Sequence, residues 1–177
     1  MTEVLQNDAS RETFLGIPKA SPNGWIARFL LSFLATAGLF YVNIMAALVD
    51  GLIQGLGFSA ADAGRVTSAN VYGAAFGALI VVFVIGRLPW RKAALGALIG
   101  LMAIDVASIF VLTPYLLVQL RFVHGFVGGF LVGIGFAVIA RTHVPDRTFG
   151  VLLVVQFGFG GLGVMTLPNL VKLYGHH

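Results

Sequence analysis

The sequence predicts an all-α integral membrane protein built as a bundle of five transmembrane helices. Of its 177 residues, 58% are hydrophobic and only 10% are charged, which is more apolar and less charged than an average soluble domain. Five apolar stretches reach the length of about 20 residues that a helix needs to cross about 30 Å of hydrocarbon. A chain of this size cannot hide five such helices from water. Lipid is therefore the expected solvent.

The chain divides into a polar leader and an apolar domain. Residues 1–24 contain Pro18 and Pro22 and lack the short apolar core and the cleavage site of a secretory signal. We expect them to form a flexible cytoplasmic leader, followed by a transmembrane domain over residues 25–177. Within that domain the apolar stretches predict helices at about residues 25–53, 60–85, 91–111, 114–140 and 148–167.

Turn-forming residues separate these helices. Ser59 is a suitable N-cap for the second helix. Pro89 breaks the pattern before the third helix, because proline is disfavoured in a helix interior. Pro114 suits the first turn of the fourth helix, and Pro145 marks the approach to the fifth. Proline at position 168 is expected to end the fifth helix.

Basic residues are distributed unequally between the two sides of such a bundle. Cytoplasmic loops of membrane proteins carry an excess of Lys and Arg. With the amino terminus in the cytoplasm, only Arg65 and Lys172 fall outside and Arg121 falls within the membrane. The eight basic residues that fall inside are Arg11, Lys19, Arg28, Arg87, Arg91, Lys92, Arg141 and Arg147. The sequence therefore predicts a cytoplasmic amino terminus.

Glycines recur at four-residue spacing, which lets helix backbones approach closely. The pairs are Gly51 and Gly55, Gly73 and Gly77, Gly96 and Gly100, Gly125 and Gly129, and Gly129 and Gly133. They predict a compact bundle whose helices slide and rock against one another.

Several functional classes find no support in the sequence. The net charge of +4 is scattered between apolar runs and forms no single basic face, so no nucleic-acid partner is expected. The chain has no cysteine, and His176 and His177 are too few for a metal site. Common catalytic motifs of membrane and nucleotide-dependent enzymes are absent. We therefore expect no cofactor, no metal and no enzymatic activity.

Ionisable residues within apolar helices are the first candidates for function, since they are costly in hydrocarbon. Asp105 lies eight residues before Thr113 and Arg121 eight residues after it. An antiparallel hairpin that turns at Thr113 brings both side chains to one depth, where they can pair. The pair is either a proton-sensitive gate or a static contact that fixes helix register. His124 follows Arg121 by three residues and either carries protons or packs between helices.

Three amides within the predicted helices are a second set of candidates. Asn43, Asn70 and Gln156 either line a substrate cavity or form hydrogen bonds between helices. Asp50 lies near the outer end of the first helix, where water solvates a carboxylate.

Several motifs resemble the amino-terminal half of a major facilitator superfamily transporter. The stretch LGFSAADAGRVTSA at residues 56–69 looks like that family's junction between helices one and two. The cytoplasmic loop with Gly86, Arg87, Arg91 and Lys92 resembles its basic loop motif, although Gly86 replaces the usual aspartate. The pattern R-x-x-x-G-x-x-G of proton-coupled members is matched by Arg121, Gly125 and Gly128. Pro145 and Gly150 resemble the family's loop into helix five, and residues 167–175 resemble its outer loop into helix six.

The resemblance implies a secondary active transporter of a small solute in the inner membrane of a bacterium. Members have twelve helices in two halves that bind substrate between them. By resemblance, Arg121 is the membrane arginine associated with proton coupling, in a symporter or antiporter working by alternating access. The glycines of the fifth helix lack the adjacent proline of drug antiporters. Five helices are one short of a half, so we expect a fragment that needs further helices. The alternative is a non-transporting scaffold or subunit that needs a partner chain.

Overall fold

The computed structural model describes residues 13–14, 17–18 and 24–174 of the chain. Within these ranges β1 (Thr13–Phe14) pairs antiparallel with β2 (Ile17–Pro18). The same ranges contain six α-helices, which confirms the predicted all-α membrane bundle: α1 (Trp25–Asn43), α2 (Met45–Leu56), α3 (Ala60–Val84), α4 (Trp90–Ser108), α5 (Pro114–Ile139) and α6 (Pro145–Tyr174).

Most of the predicted leader, with Arg11 and Lys19, lies outside the described residues. The same is true of His176 and His177 at the carboxyl end.

Four of the described helices are long and apolar enough to cross a membrane, namely α1, α3, α5 and residues 145–167 of α6. The sequence predicts a fifth span at α4, which is not among these four. α4 has 19 residues, but three of them, Arg91, Lys92 and Asp105, are charged. Large apolar side chains are exposed on the outside of these helices, among them Phe83, Met102 and Phe157. Exposed apolar surface on this scale is typical of a face that contacts lipid, so the chain is a multi-pass membrane protein.

The predicted first helix, residues 25–53, is in fact two helices. The break lies at Ile44, whose φ of −102° and ψ of 13° are not helical. Hydrogen bonds still run from the Ile44 amide to the Phe40 carbonyl and from the Leu48 amide to the Ile44 carbonyl. The break is therefore a kink one residue wide, and α2 continues to Leu56. Kinks usually occur at proline or glycine, and this one has neither, so the sequence carried no signal for it.

The last helix differs from the prediction at both ends. α6 begins at Pro145, three residues before the predicted start, and Asp146 lies in its first turn. Proline is favoured at the first helical position, and a carboxylate there interacts favourably with the helix dipole. The helix also continues past residue 168 to Tyr174, so the predicted outer loop is wrong for residues 168–174. Proline is tolerated within membrane helices, where neighbouring groups satisfy the freed backbone.

The junction between α2 and α3 is a tight turn. Gly57 has a φ of +67° and ends α2 in the left-handed conformation that favours glycine. Ser59 then caps α3, because its Oγ accepts a hydrogen bond from the Asp62 amide at 3.1 Å. The predicted N-cap is thus confirmed. Pro114 occupies the first turn of α5 as the sequence predicts.

α5 packs against α3 and α1 through glycine. A Cβ placed on Gly125 or Gly129 would overlap the backbone of Asn70 or Ala74, and one on Gly73 or Gly77 would overlap the backbone of α5. On the side towards α1, a Cβ on Gly128 would lie 2.7 Å from the Gly38 carbonyl oxygen. These backbones approach as closely as they do because no side chain stands between them.

α4 packs against α5 through side chains instead. Val81 of α3 joins this contact, which forms a buried cluster with Ala94, Ala97, Leu101, Leu131 and Ile134. The predicted glycine pair of α4 makes no backbone contact. A Cβ on Gly96 would have no atom within 4 Å, and one on Gly100 would meet only Val127 Cγ1 at 3.6 Å. Gly51 and Gly55 of α2 likewise have open space around them.

Candidate functional site

The structure brings the two charged residues of the predicted hairpin into contact. Arg121 Nη1 of α5 donates to Asp105 Oδ1 of α4 at 3.0 Å. The Arg121 side chain is 14% exposed, whereas that of Asp105 is 55% exposed. The antiparallel arrangement of α4 and α5 produces this pairing, because each residue lies eight positions from Thr113 in the turn between them.

His124 lies beside the same carboxylate oxygen. Its Nε2 lies 3.4 Å from Asp105 Oδ1, and its side chain is 8% exposed. The three-residue spacing from Arg121 puts both side chains on one face of α5. Asp105 thus connects α4 to two side chains of α5 through a single oxygen atom.

Asn70 of α3 completes this group from the opposite side. Its Nδ2 lies 3.1 Å from the Arg121 carbonyl oxygen and 3.0 Å from His124 Nδ1. Asn70 is buried, with 1% of its surface exposed. The predicted candidate Asn70 therefore makes hydrogen bonds between helices. We call Asn70, Asp105, Arg121 and His124 the polar cluster.

Tyr41 of α1 covers the polar cluster, and sequence reasoning missed it. The Arg121 guanidinium lies 4.9 Å from the centre of the Tyr41 ring, and the His124 ring centre lies 5.5 Å away. A guanidinium at this distance from an aromatic face is attracted by the ring quadrupole. An aromatic residue in an apolar helix has no distinctive sequence signal, although Tyr41 is one of only four tyrosines in the chain.

Two cavities adjoin the cluster. One of about 230 Å³ is lined by Tyr41, Asp105, Arg121 and His124 together with apolar residues of α1, α2 and α4. The other, of about 250 Å³, lies between α2, α5 and α6 and has Tyr41, Arg121 and otherwise apolar or glycine residues in its wall. Tyr41 and Arg121 are common to both. This part of the bundle can therefore hold a small molecule against one guanidinium, one carboxylate and an aromatic ring.

The other two predicted cavity residues lie elsewhere and contact each other. Asn43 of α1 accepts a hydrogen bond from Gln156 Nε2 of α6 at 3.3 Å, and its own Nδ2 donates to the Gln156 carbonyl at 3.5 Å. This is the second of the two arrangements that the sequence left open, a polar contact between helices. Neither residue is in the wall of the two cavities beside the cluster.

The residues of the predicted cytoplasmic motif are exposed at one end of the bundle. Gly86 and Arg87 lie in the turn after α3, and Arg91 and Lys92 lie in the first turn of α4. The Arg91 guanidinium lies 5.3 Å from the centre of the Trp90 ring. Asp50 lies in α2, near the end of the first apolar segment, and is also exposed. Its Oδ1 accepts a hydrogen bond from Gln54 Nε2 at 2.5 Å.

Comparison with known proteins finds a relative that is a transporter. The chain is 30% identical over 155 residues to a gallate transporter of Pseudomonas putida, and the match covers 85% of this chain. It covers 34% of that protein, so the chain spans about a third of the length of the curated relative that it matches. The chain matches no protein-family model and no solved structure.

Proposed function

We propose that this chain is the amino-terminal part of a proton-coupled secondary transporter of the major facilitator type. The carboxylate shared between Arg121 and His124 is the observation that carries this proposal. Ionisable side chains are rare inside membrane bundles and commonly belong to ion or substrate pathways. The similarity to a gallate transporter supports a transport role, and the motif around Arg121, Gly125 and Gly128 supports the superfamily.

In this proposal a proton acts on the link between α4 and α5. While Asp105 is charged, it holds Arg121 and His124 through its Oδ1 oxygen. A proton on Asp105 removes the charge that attracts both partners, so α4 is released from α5 on that side. Asp105 is the most exposed member of the polar cluster and also lies in the wall of one cavity, which gives a proton or a substrate access to it.

The proposed substrate is a small aromatic carboxylate. Gallate, the substrate named for the relative, has a benzene ring and a carboxylate group. The cavities beside the cluster have mostly apolar walls, and they share the Arg121 guanidinium and the Tyr41 ring. A guanidinium binds carboxylates well, and an aromatic ring stacks on another.

Further helices would complete the transport path. Alternating access requires two bundles that move around a site between them, and the relative is about three times as long as the matched segment. We propose that these helices belong to the same polypeptide or to a partner chain. In the proposed orientation the amino terminus and the Gly86 to Lys92 loop face the cytoplasm of a bacterial cell.

Uptake assays with matched carboxylate variants test this proposal. The product of the complete reading frame is placed in vesicles, and entry of radiolabelled gallate is followed with and without an inward proton gradient. We expect gradient-driven uptake that falls by at least about tenfold in Asp105→Asn, because an intramembrane ionisable residue marks the ion pathway. Asp50→Asn makes the same chemical change at the exposed end of the segment and is expected to retain uptake.

Equal uptake by Asp105→Asn and the parent under the gradient would remove Asp105 from coupling. An absence of uptake of any aromatic carboxylate, together with a stoichiometric partner in crosslinked native membranes, would instead favour the scaffold role.

A further inference from the structure

The orientation of the Asn70 amide follows from its contact with α5. Its nearest polar neighbours are the Arg121 carbonyl oxygen at 3.1 Å and His124 Nδ1 at 3.0 Å. A carbonyl oxygen only accepts hydrogen bonds. The amide group facing it must therefore be the NH₂, since the flipped amide would place two oxygens against each other. The contact with the backbone thus resolves the usual ambiguity between amide oxygen and nitrogen.

The same NH₂ group determines which ring nitrogen of His124 carries hydrogen. An amide NH₂ has two hydrogens, and here one points to the Arg121 carbonyl and the other to His124 Nδ1. His124 Nδ1 therefore faces a donor and must present its lone pair. In neutral imidazole the hydrogen then lies on Nε2, which is 3.4 Å from Asp105 Oδ1. The bond made by one ring nitrogen sets the state of the other.

We propose that Asn70 is a positioning residue that holds His124 as the neutral tautomer with its hydrogen on Nε2 and directs that N–H at Asp105. A second proton on His124 would have to enter at Nδ1, where the Asn70 NH₂ now lies. His124 can therefore accept a proton only when Asn70 moves away or turns its amide and gives up the Arg121 carbonyl. Asn70 thereby keeps His124 as a neutral ring whose Nε2–H lies on the side of Asp105.

The charged and titratable groups around His124 are few. Asp105 faces it from α4, Arg121 lies on its own helix, and Tyr41 faces it from α1 at 5.5 Å between ring centres. From α3 it meets the uncharged Asn70. Asp105 attracts an imidazolium whereas Arg121 repels one. Asp105 Oδ1 also lies beside Nε2 and favours a hydrogen there, whereas Asn70 acts on Nδ1, where its NH₂ leaves no place for a hydrogen.

Nitrogen-15 NMR of the histidine ring tests this assignment directly. The full chain, labelled at histidine, is placed in lipid vesicles at neutral pH, and the His124 signals are identified by their loss in His124→Gln. A protonated ring nitrogen and a bare one give well-separated signals. We expect a bare Nδ1 and a protonated Nε2 in the parent. A protonated Nδ1 in the parent would overturn the proposal without any variant of Asn70.

Two substitutions of Asn70 extend the test. Asn70→Leu removes the donor, and we expect a second tautomer with protonated Nδ1 to appear. Asn70→Asp keeps the shape but supplies only an acceptor, and we expect Nδ1 to become protonated. Asn43→Leu, the matched control, makes the same change from asparagine to leucine at the contact between α1 and α6. It should leave the His124 ring signals as in the parent. An unchanged ring in both Asn70 variants would overturn the proposal.

The tautomer assignment goes beyond the proposed transport function and fails separately from it. If the ring signals behave as expected while no solute is moved by a proton gradient, Asn70 positions His124 in a protein with another role. If transport is proton-driven while the His124 ring signals stay unchanged in both Asn70→Leu and Asn70→Asp, the coupling proposal stands and the assignment of Asn70 falls.

Discussion

α5 meets its neighbours in two different ways. Towards α3 it presents glycines, and the two backbones approach so closely that a single added carbon would overlap the opposite chain. Towards α4 it presents Leu131 and Ile134, which pack against alanine and leucine side chains, and Gly96 of α4 remains in open space. A cavity of about 230 Å³ follows the groove between α4 and α5.

The difference indicates which contact is able to change. Where two backbones pack through glycine, an added side-chain atom has no room, so this contact cannot rearrange through side-chain rotamers. Side-chain contacts beside a cavity can rearrange through rotamers. The polar cluster spans both kinds of contact, with Asn70 on the tight side and Asp105 on the loose side. This arrangement supports a rigid α3–α5 unit from which α4 can move.

The largest expected effect tests the glycine contact itself. In a helix interior, glycine to alanine normally stabilises by about 0.5–1 kcal/mol. We expect Gly129→Ala to lower the free energy of unfolding by about 2 kcal/mol, because the new methyl overlaps the Ala74 backbone. Gly96→Ala is the matched control in open space and should keep or slightly raise stability. Unfolding of both variants in detergent gives the comparison, and equal effects would abolish the distinction between the two faces.

A smaller effect is expected in backbone hydrogen exchange. Regions with fewer packed contacts open at lower free energy. We expect amides in the second half of α4, residues 101–108, to exchange at least about tenfold faster than those of α3 around Asn70, which corresponds to about 1.4 kcal/mol in opening free energy. Mass spectrometry of the protein in one detergent measures both segments together. Equal protection would mean that α4 belongs to the rigid unit.

The smallest effect concerns the polar contact between α1 and α6. Hydrogen bonds between membrane helices contribute about 0.6 kcal/mol on average in double-mutant cycles. We expect a coupling of this size between Asn43→Leu and Gln156→Leu, because their amides bond to each other and to no charged group in the structure as described. A coupling energy several times larger would show that this contact holds α1 and α6 together more strongly than an average hydrogen bond between membrane helices.

The sequence predicts the parts of this structure that depend on local chemistry. Apolar length locates four spanning segments, Ser59 marks the start of α3, and the equal spacing of Asp105 and Arg121 from Thr113 predicts their contact. The kink at Ile44 has no proline or glycine to indicate it. Asn43 and Gln156 are separated by 113 positions, so their pairing depends on how α1 and α6 pack.

The glycine pattern shows the same limit. Four-residue spacing occurs in α2, α3, α4 and α5 alike, yet among these pairs close contacts with an opposite backbone occur only at Gly73 and Gly77 of α3 and at Gly125 and Gly129 of α5, whereas Gly133 meets the Val81 side chain. Four-residue spacing indicates that a helix has a face that another backbone can approach closely. It does not indicate which helix packs there. Tyr41 was missed for a related reason, because its role depends on Arg121 and His124 of a helix far along the chain.

The position of Asn70 also has a consequence for biosynthesis. Its hydrogen-bond partners are on α5, and Pro114, the first residue of that helix, is made 30 positions after Val84, the last residue of α3. At about 5–20 residues per second, the ribosome needs several seconds to finish α5 after α3 has left it. During that interval the Asn70 amide has neither partner. Until α5 arrives, a newly inserted α3 must therefore satisfy this buried amide with water or with another segment.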